Sequence, residues 1–590
     1  MLKVSFAAIA CALTLSASFA FAGDQTISTS TVWSGTVTVD GTVTVTSAGS
    51  LTIQPGTIVN FVGAGNINFS TSGAFSAQGT AAAPIQFTGN QTGAITGSAL
   101  AMTLSNCIVS GMAPVSGSAR QYWLNATARS GGFSMTNCTI SNSGQTWATA
   151  SGSNATVSGC NVRDSANFWV FAYGKSASVQ NNKFQNGFIW TNSATANVSG
   201  NTVINADITA GNGGGNGAYT NFVVKDNYIH NDATASIQYG IVNTIGDISN
   251  NVIRGCLWNL SAVGGHIAGN VLEAYTPAEA TLRGDHTHEN ICGVANNSVI
   301  ERNILLNSSY GSIMGLGDNL LRNCTVRNNT IDQRGIVGAH SIPPFYLNHM
   351  PSGVQPSGLN IRNNLLLRTG RIYDEQNTAS GGYADTVSYV DYNCWAGQNA
   401  DGYTSSSGRY VGVQITGKVE GDDGFSMHDV MLPTIATFNP ASLVNNANFV
   451  VPYSDADMLA GTYTNAQLLA LYQQAYTPVA GSALINAGSP TDASDPAVAY
   501  GQIDIGAIEV SLLPGDTDMD RKVTFADYIV LERNFGATSA TWAMGDFNGD
   551  GKVTFADYII LEGGFGKSVP EPMTLALLAA GGVALLRRRA

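Results

Sequence analysis

Charge is scarce in this chain. Only 11% of its 590 residues are Asp, Glu, Lys or Arg, and the net charge at pH 7 is −13. A phosphate-binding face needs clustered Lys and Arg, so nucleic acid is excluded as a partner class. Low charge beside 44% hydrophobic residues also excludes a disordered polyelectrolyte. A chain so rich in Gly, Ser, Thr and Asn reads instead as rigid, hydrogen-bonded β structure. Zinc-type Cys-x-x-Cys pairs are absent. Seven cysteines lie beyond residue 22 (Cys107, Cys138, Cys160, Cys256, Cys292, Cys324 and Cys394), an odd number that disulfides cannot fully use. Three share a phrase, Asn106-Cys107-Ile108, Asn137-Cys138-Thr139 and Asn323-Cys324-Thr325, which points to small core residues repeated from coil to coil.

Long apolar runs are confined to the two ends. Lys3, an apolar stretch from about Val4 to Ala20 and the triplet Ala20-Phe21-Ala22 read as a secretory signal over 1–22. Export is the expectation. At the other end Val569-Pro570-Glu571-Pro572 leads into a fourteen-residue apolar run, 573–586, closed by Arg587-Arg588-Arg589-Ala590. As a helix this run spans about 21 Å, short of a hydrocarbon core of roughly 30 Å. Its arginines are placed to stay in the cytoplasm. Motif, short helix and basic terminus over 568–590 resemble the PEP-CTERM sorting signal. The resemblance implies an exosortase-type sorting enzyme as a partner and cleavage near the motif. It also implies a cell-surface or extracellular location, with membrane contact only through the tail.

Between the ends one phrase recurs: Asn, a few β-formers, then a polar turn. It appears at Asn182, Asn201, Asn227, Asn251, Asn270, Asn297, Asn329 and Asn364, in steps of 19, 26, 24, 19, 27, 32 and 35 residues. Such a period, with short strands and no helical pattern, is the signature of a solenoid. Asn suits its corners, because it tolerates left-handed backbone and its amide can ladder onto the next coil. A six-residue period, which a left-handed hexapeptide helix would need, is absent. Thr36 to Val45 alternates with period two around Asp40-Gly41. With 51–61, 79–88 and the closing phrases 482–490 and 504–509, it resembles a right-handed parallel β-helix of the pectin-lyase-like superfamily. The resemblance covers nearly all of 30–510 and places an all-β solenoid over 23–510.

Coils lengthen after Asn270, and insertions in a solenoid emerge as loops on one face, often the binding face. The window 283–371 holds four of the seven histidines (His286, His288, His340, His349) and eight arginines against five acids, about +3 in an acidic chain. Such a strip suits an anionic polysaccharide. Its densest part is Arg283-Gly284-Asp285-His286-Thr287-His288-Glu289. A lyase would use His286 or His288 to take the proton α to a uronate carboxylate, with Arg283 or Arg302 neutralising the charge. A glycosidase would use Asp285 and Glu289 as its two carboxylates. A noncatalytic structural or adhesive surface protein is the third reading. The lysine or arginine base signatures of pectate lyases are not recognisable. His230 and His266 read as structural corner residues, His428 as part of a solvated turn, and 464–476 as a short helix packed on the solenoid.

Residues 511–567 carry two copies of one loop, starting at Asp516 and Asp546, 30 residues apart. Oxygen side chains fall at loop positions 1, 3, 5, 9 and 12, and the position-7 carbonyl completes a shell for a hard cation. Phe525, Tyr528, Ile529 and their counterparts Phe555, Tyr558, Ile559 form an apolar stripe on the helix after each loop. The module resembles a dockerin. The resemblance implies two calcium ions. Asp516, Asp518, Asp520, Lys522 (backbone), Thr524 and Asp527 would hold the first, and Asp546, Asn548, Asp550, Lys552 (backbone), Thr554 and Asp557 the second. A cohesin-like partner is implied as well. Two departures stand out: Arg521 where Gly is usual, and Phe525-Ala526 and Phe555-Ala556 where hydroxyl pairs are usual. The whole chain is thus expected to be an exported surface protein that binds or processes extracellular polysaccharide.

Overall fold

The computed structural model describes residues 18–21, 23–113, 122–165, 167–185, 189–210, 222–231, 239–274, 289–308, 311–315, 321–333, 344–347, 358–369, 373–374, 387–396, 427–432, 453–479, 482–492, 503–510, 513–520 and 522–568. The fold is mostly short strands in parallel register with few helices, a parallel β-helix followed by a small helical module. The chain divides into two compact units, Met1–Ile248 with Asp455–Asn465, and Ser249–Ser454 with Ala466–Ala590.

In the first unit every coil places one apolar side chain on the same rung. Val37, Val59, Phe87, Val109, Ile140, Val162, Phe184, Val203 and Ile229 pair in sequence from strand to strand. All are buried. The cause is period two: in Thr36–Val39 and Ile58–Phe61 alternate residues are buried and half-buried, so one-residue slippage would turn the whole rung outward. Ser18–Phe21, within the expected signal segment, pairs with Thr36–Val39. A short helix, Asp455–Ala460, is pinned by its first carboxylate, which accepts from Tyr228 Oη (3.0 Å) and meets His230 Nδ1 (2.8 Å).

The second unit repeats the pattern with Ile253, Leu272, Leu305, Ile331, Leu366 and Trp395 on one rung. The helix expected over 464–476 is found as Asn465–Ala475. Tyr472 Oη donates to Glu273 Oε2 (2.9 Å), and Tyr476, just past the helix, donates to Asp332 Oδ2 (2.7 Å). Glu273 and Asp332 are themselves matched by Arg254 and by a two-pronged Arg368. This is how a buried carboxylate is tolerated.

Corners use two adjacent residues with different tasks. The first takes left-handed backbone: Asn181, Gly200, Asp226, Asn250, Gly269, Arg302, Asn328 and Asn363 all have φ between +52° and +67°. The second points inward and ladders. In the first unit Asn182 and Asn201 donate backbone and side-chain N–H to Asn201 and Asn227 at 2.9–3.0 Å. In the second, Asn251, Asn270, Asn303, Asn329, Asn364 and Asn393 form the same chain. The Asn297 phrase is therefore misplaced by sequence reading; the rung belongs to Asn303. Cys107, Cys138 and Cys160 occupy the ladder position before Asn182, and the Cys160 N–H donates to Asn182 Oδ1 (2.9 Å). All seven cysteines from Cys107 to Cys394 are buried thiols, as the phrase shared by Cys107, Cys138 and Cys324 implied for those three.

The terminal module has helices Phe525–Arg533 and Phe555–Gly564. Thr524 and Thr554 cap them in reciprocal boxes with Asp527 and Asp557. Val523, Leu531, Trp542, Phe547, Val553 and Leu561 form its core. The apolar stripe expected at 525, 528 and 529 and at 555, 558 and 559 is corrected in part: Tyr528 and Tyr558 pack against the core, but Phe525 is 62% exposed, Phe555 64% and Ile559 54%. Leu531 and Leu561, two turns on, are the buried large apolar positions of the helices, while Tyr528 and Tyr558 meet edge-on at 6.2 Å. Each loop is also stitched to the segment after the other helix. Val523 exchanges backbone hydrogen bonds with Gly566 and Lys567, and Val553 with Gly536 and Ala537.

Candidate functional site

Within 283–371, Arg283, Asp285, His286, His288, His340 and His349 lie outside the described residues. Glu289 opens the strand Glu289–Cys292 in the second unit, in register with Trp258 on one side and Gly311 on the other. It is 3% exposed, and among the described residues its Oε2 has no hydrogen-bond partner. Burial lifts its carboxyl to about 7, although Cys292 and Trp258 beside it pull the other way. The Cys292 thiol is pushed up by burial and by Glu289. A buried acid poised near neutrality can deliver or accept a proton. Trp258 and Cys292 escaped sequence reading, since their partnership with Glu289 depends on coil register. Arg302 takes the left-handed corner before Asn303 (φ +56°), a position filled at the other described corners by Asn, Gly, Asp or, before Asn393, Tyr392.

The arginine strip is less available than its composition implied. Arg327 bonds Glu301 Oε2 (2.7 Å) and Asp492 Oδ1 (2.8 Å). Arg362 grips both oxygens of Asp492 at 2.7 Å, and Asn363 donates to the same group. Arg368 is spent on Asp332. His266 Nε2 lies 3.0 Å from Glu301 Oε1. That contact, then Arg327, holds Glu301 down to about 2 despite burial. Burial opposes ionisation of Asp492, but Arg362 and Arg327 keep it below the usual carboxylate range. These arginines hold the closing segment to the coils. His428 is more than a solvated turn: its Nδ1 meets the fully buried Asp391 at 2.8 Å, and its ring stacks on Tyr392.

The paired loops have the geometry of a hard-cation site. Asp516, Asp518 and Asp527 each bring one oxygen within 4.8 Å of the others. Asp516 Oδ1 and Asp518 Oδ1 accept the Asp520 N–H, and Asp520 Oδ1 accepts from Lys522, the turn sequence that directs successive oxygens inward. The second loop repeats this with Asp546, Asn548, Asp550 and Lys552. Asp527 takes the Thr517 N–H on one oxygen and the Thr524 N–H on the other, at 2.8 and 2.7 Å. Asp557 likewise takes Phe547 and Thr554. Hydroxyls of Thr524 and Thr554 serve as helix caps and donate to these carboxylates. Arg521 lies outside the described residues; its counterpart Gly551 has φ +78°.

A parallel β-helix carrying a paired acidic-loop module defines the class. Residues 514–563 match the dockerin type I domain family, whose domains bind calcium. Dockerin domains are typical of extracellular, cell-surface proteins. No curated protein matches the chain in sequence. Among solved structures, the PL6-family alginate lyase AlyGC is similar at 12% identity and a TM-score of 0.29, covering 63% of this chain and 52% of that one. The chain thus spans about half the length of that enzyme. Pectate lyase Pel9A follows at 13% identity and TM-score 0.21, with 77% and 88% covered. A PL6 alginate lyase in complex with a trisaccharide has 12% identity and TM-score 0.16, with 66% and 78% covered. Among the described residues no helix is long and apolar enough to cross a membrane; the 573–586 run lies outside them.

Proposed function

We propose that this is an exported, surface-displayed β-helix protein that binds or processes an extracellular anionic polysaccharide, anchored or docked through its calcium module. The observation that carries the reading is the dockerin type I domain attached to a parallel β-helix. Two calcium ions would sit in the loops at 516–527 and 546–557. Phe525 and Phe555, related by the internal repeat and both exposed, form the surface for a cohesin-like partner. The terminal 568–590 segment acts as the sorting signal for an exosortase-type enzyme, and 1–22 as the export signal.

A catalytic version is favoured by one feature, the buried Glu289, whose Oε2 has no partner among the described residues and which follows the Arg283–His288 segment in sequence. As a lyase the chain would use His286 or His288 as base. As a glycosidase it would use Glu289, whose raised pKa suits a general acid, with Asp285. Incubating the full chain with alginate and polygalacturonate, while following new unsaturated ends by absorbance and new reducing ends chemically, separates lyase, hydrolase and binder. Glu289→Gln is expected to abolish turnover while leaving binding intact. Turnover that persists in both Glu289→Gln and His286→Ala/His288→Ala would remove this site from consideration.

A further inference from the structure

The first unit carries a second concentration of binding chemistry. Trp147, Trp169 and Trp190 occupy one register position on three successive coils, facing outward and part-exposed. Their ring centroids are 5.7 and 4.2 Å apart. Along the middle coil Trp169, Phe171 and Tyr173 stack at 5.8 Å spacings, ending on a Tyr173 that is 48% exposed. Asn125 and Thr209 continue the tryptophan row at its two ends, and Asn192 lies beside Phe171. Aromatic rings bounded by amides and hydroxyls offer an apolar surface with polar edges, which matches the C–H faces and ring hydroxyls of pyranoses. Outward-facing, part-exposed tryptophans at three consecutive rungs form a contiguous apolar patch of the kind that marks a binding surface.

Charge sharpens the match. From residue 41 to 206 the chain has five basic residues (Arg120, Arg129, Arg163, Lys175, Lys183) and one acid, Asp164, a net of +4 in a chain of −13. The five strands across this face contain no carboxylate at all. Lys175, exposed and two residues beyond Tyr173, borders a polar trough of about 490 Å³ lined by Ser130 to Ser134 and Gly152 to Asn154. Arg129, also exposed, precedes Ser130 at its rim. An acid-free aromatic face with a cationic edge repels no anion and attracts a carboxylated chain.

We propose that this face, centred on Trp147, Trp169 and Trp190 with Lys175 and Arg129 at its edge, is a binding surface for a uronate polysaccharide. The sugars lie on the aromatic row, at coil steps of about 4.8 Å, and their carboxylates reach Lys175 and Arg129. The claim rests on the polysaccharide reading above and deepens it. It requires no catalysis.

The test is calorimetric and fluorescence titration of the full chain with alginate and polygalacturonate oligosaccharides, with cellohexaose as the neutral control. Uronate binding should perturb tryptophan emission and weaken as salt is raised. Trp190→Ala and Tyr173→Ala should each weaken binding about threefold to tenfold. Lys175→Ala/Arg129→Ala, both exposed and free of packing roles, should remove most of the salt dependence while leaving the fold intact by circular dichroism. Uronate binding unchanged in Tyr173→Ala and in the Lys175/Arg129 double variant overturns the proposed face but leaves the polysaccharide reading standing. Wild-type protein that binds neither uronate overturns both. Equal binding of cellohexaose overturns the assignment to anionic chains.

Discussion

Asn303 shows what one residue contributes to a solenoid. Its amide accepts both donors of Asn270 and donates to Ile267 O and Asn329 Oδ1, all within 2.9–3.0 Å and fully buried. Asn303→Ala strands polar groups on two neighbouring coils and should cost about 2–4 kcal/mol, from two or more unsatisfied groups at 1–3 kcal/mol each. Chemical denaturation measures it; a loss under 0.5 kcal/mol would deny the ladder a stabilising role. Glu289 makes the opposite case. Its folded pKa of about 7 exceeds the ordinary 4.5, so ionisation is penalised by burial. The penalty is absent below pH 4.5, grows as pH rises toward 7 and is complete above it. Glu289→Gln should therefore raise the melting temperature at pH 8 and leave it nearly unchanged at pH 4. Equal shifts at both pH values would contradict that.

At the scale of elements, much was legible and the reasons are specific. Period-two strands, the Asn-Cys phrases and both helices of the terminal module followed from local pattern, because each depends on residues within one turn or strand. Ladder register did not. Asn297 and Asn303 both precede β-formers, and only pairing across coils identifies Asn303 as the rung. Asp492 was also beyond local reading: it meets Arg327 and Arg362 from 165 and 130 residues away and takes these two arginines of the strip into a structural clasp. Phe525 and Phe555, expected on the same apolar stripe as Tyr528 and Tyr558, are exposed because each helix buries only a narrow face. The paired loops yield a firm expectation. Calorimetry on the full chain should show two calcium sites. Asp516→Ala should remove one, and Asp516→Ala/Asp546→Ala both; calcium binding that survives the double variant would refute the ligand set.

For the whole molecule, the sequence placed a β-helix body before a calcium module, and the structure adds where its chemistry is exposed and where it is spent. In the second unit Arg254, Arg327, Arg362 and Arg368 are each matched by an acid, while the first unit keeps an acid-free aromatic face with exposed cations. Glu289 supplies one poised proton carrier, which is too little alone to establish a reaction. Binding is therefore the property on which every version of the account depends. The most direct measurement is retention of the full-length chain, with calcium present, on immobilised alginate and polygalacturonate across a salt series. The account predicts retention on at least one uronate matrix, released by salt and competed by soluble oligosaccharide. Passage through both matrices at low salt would contradict it.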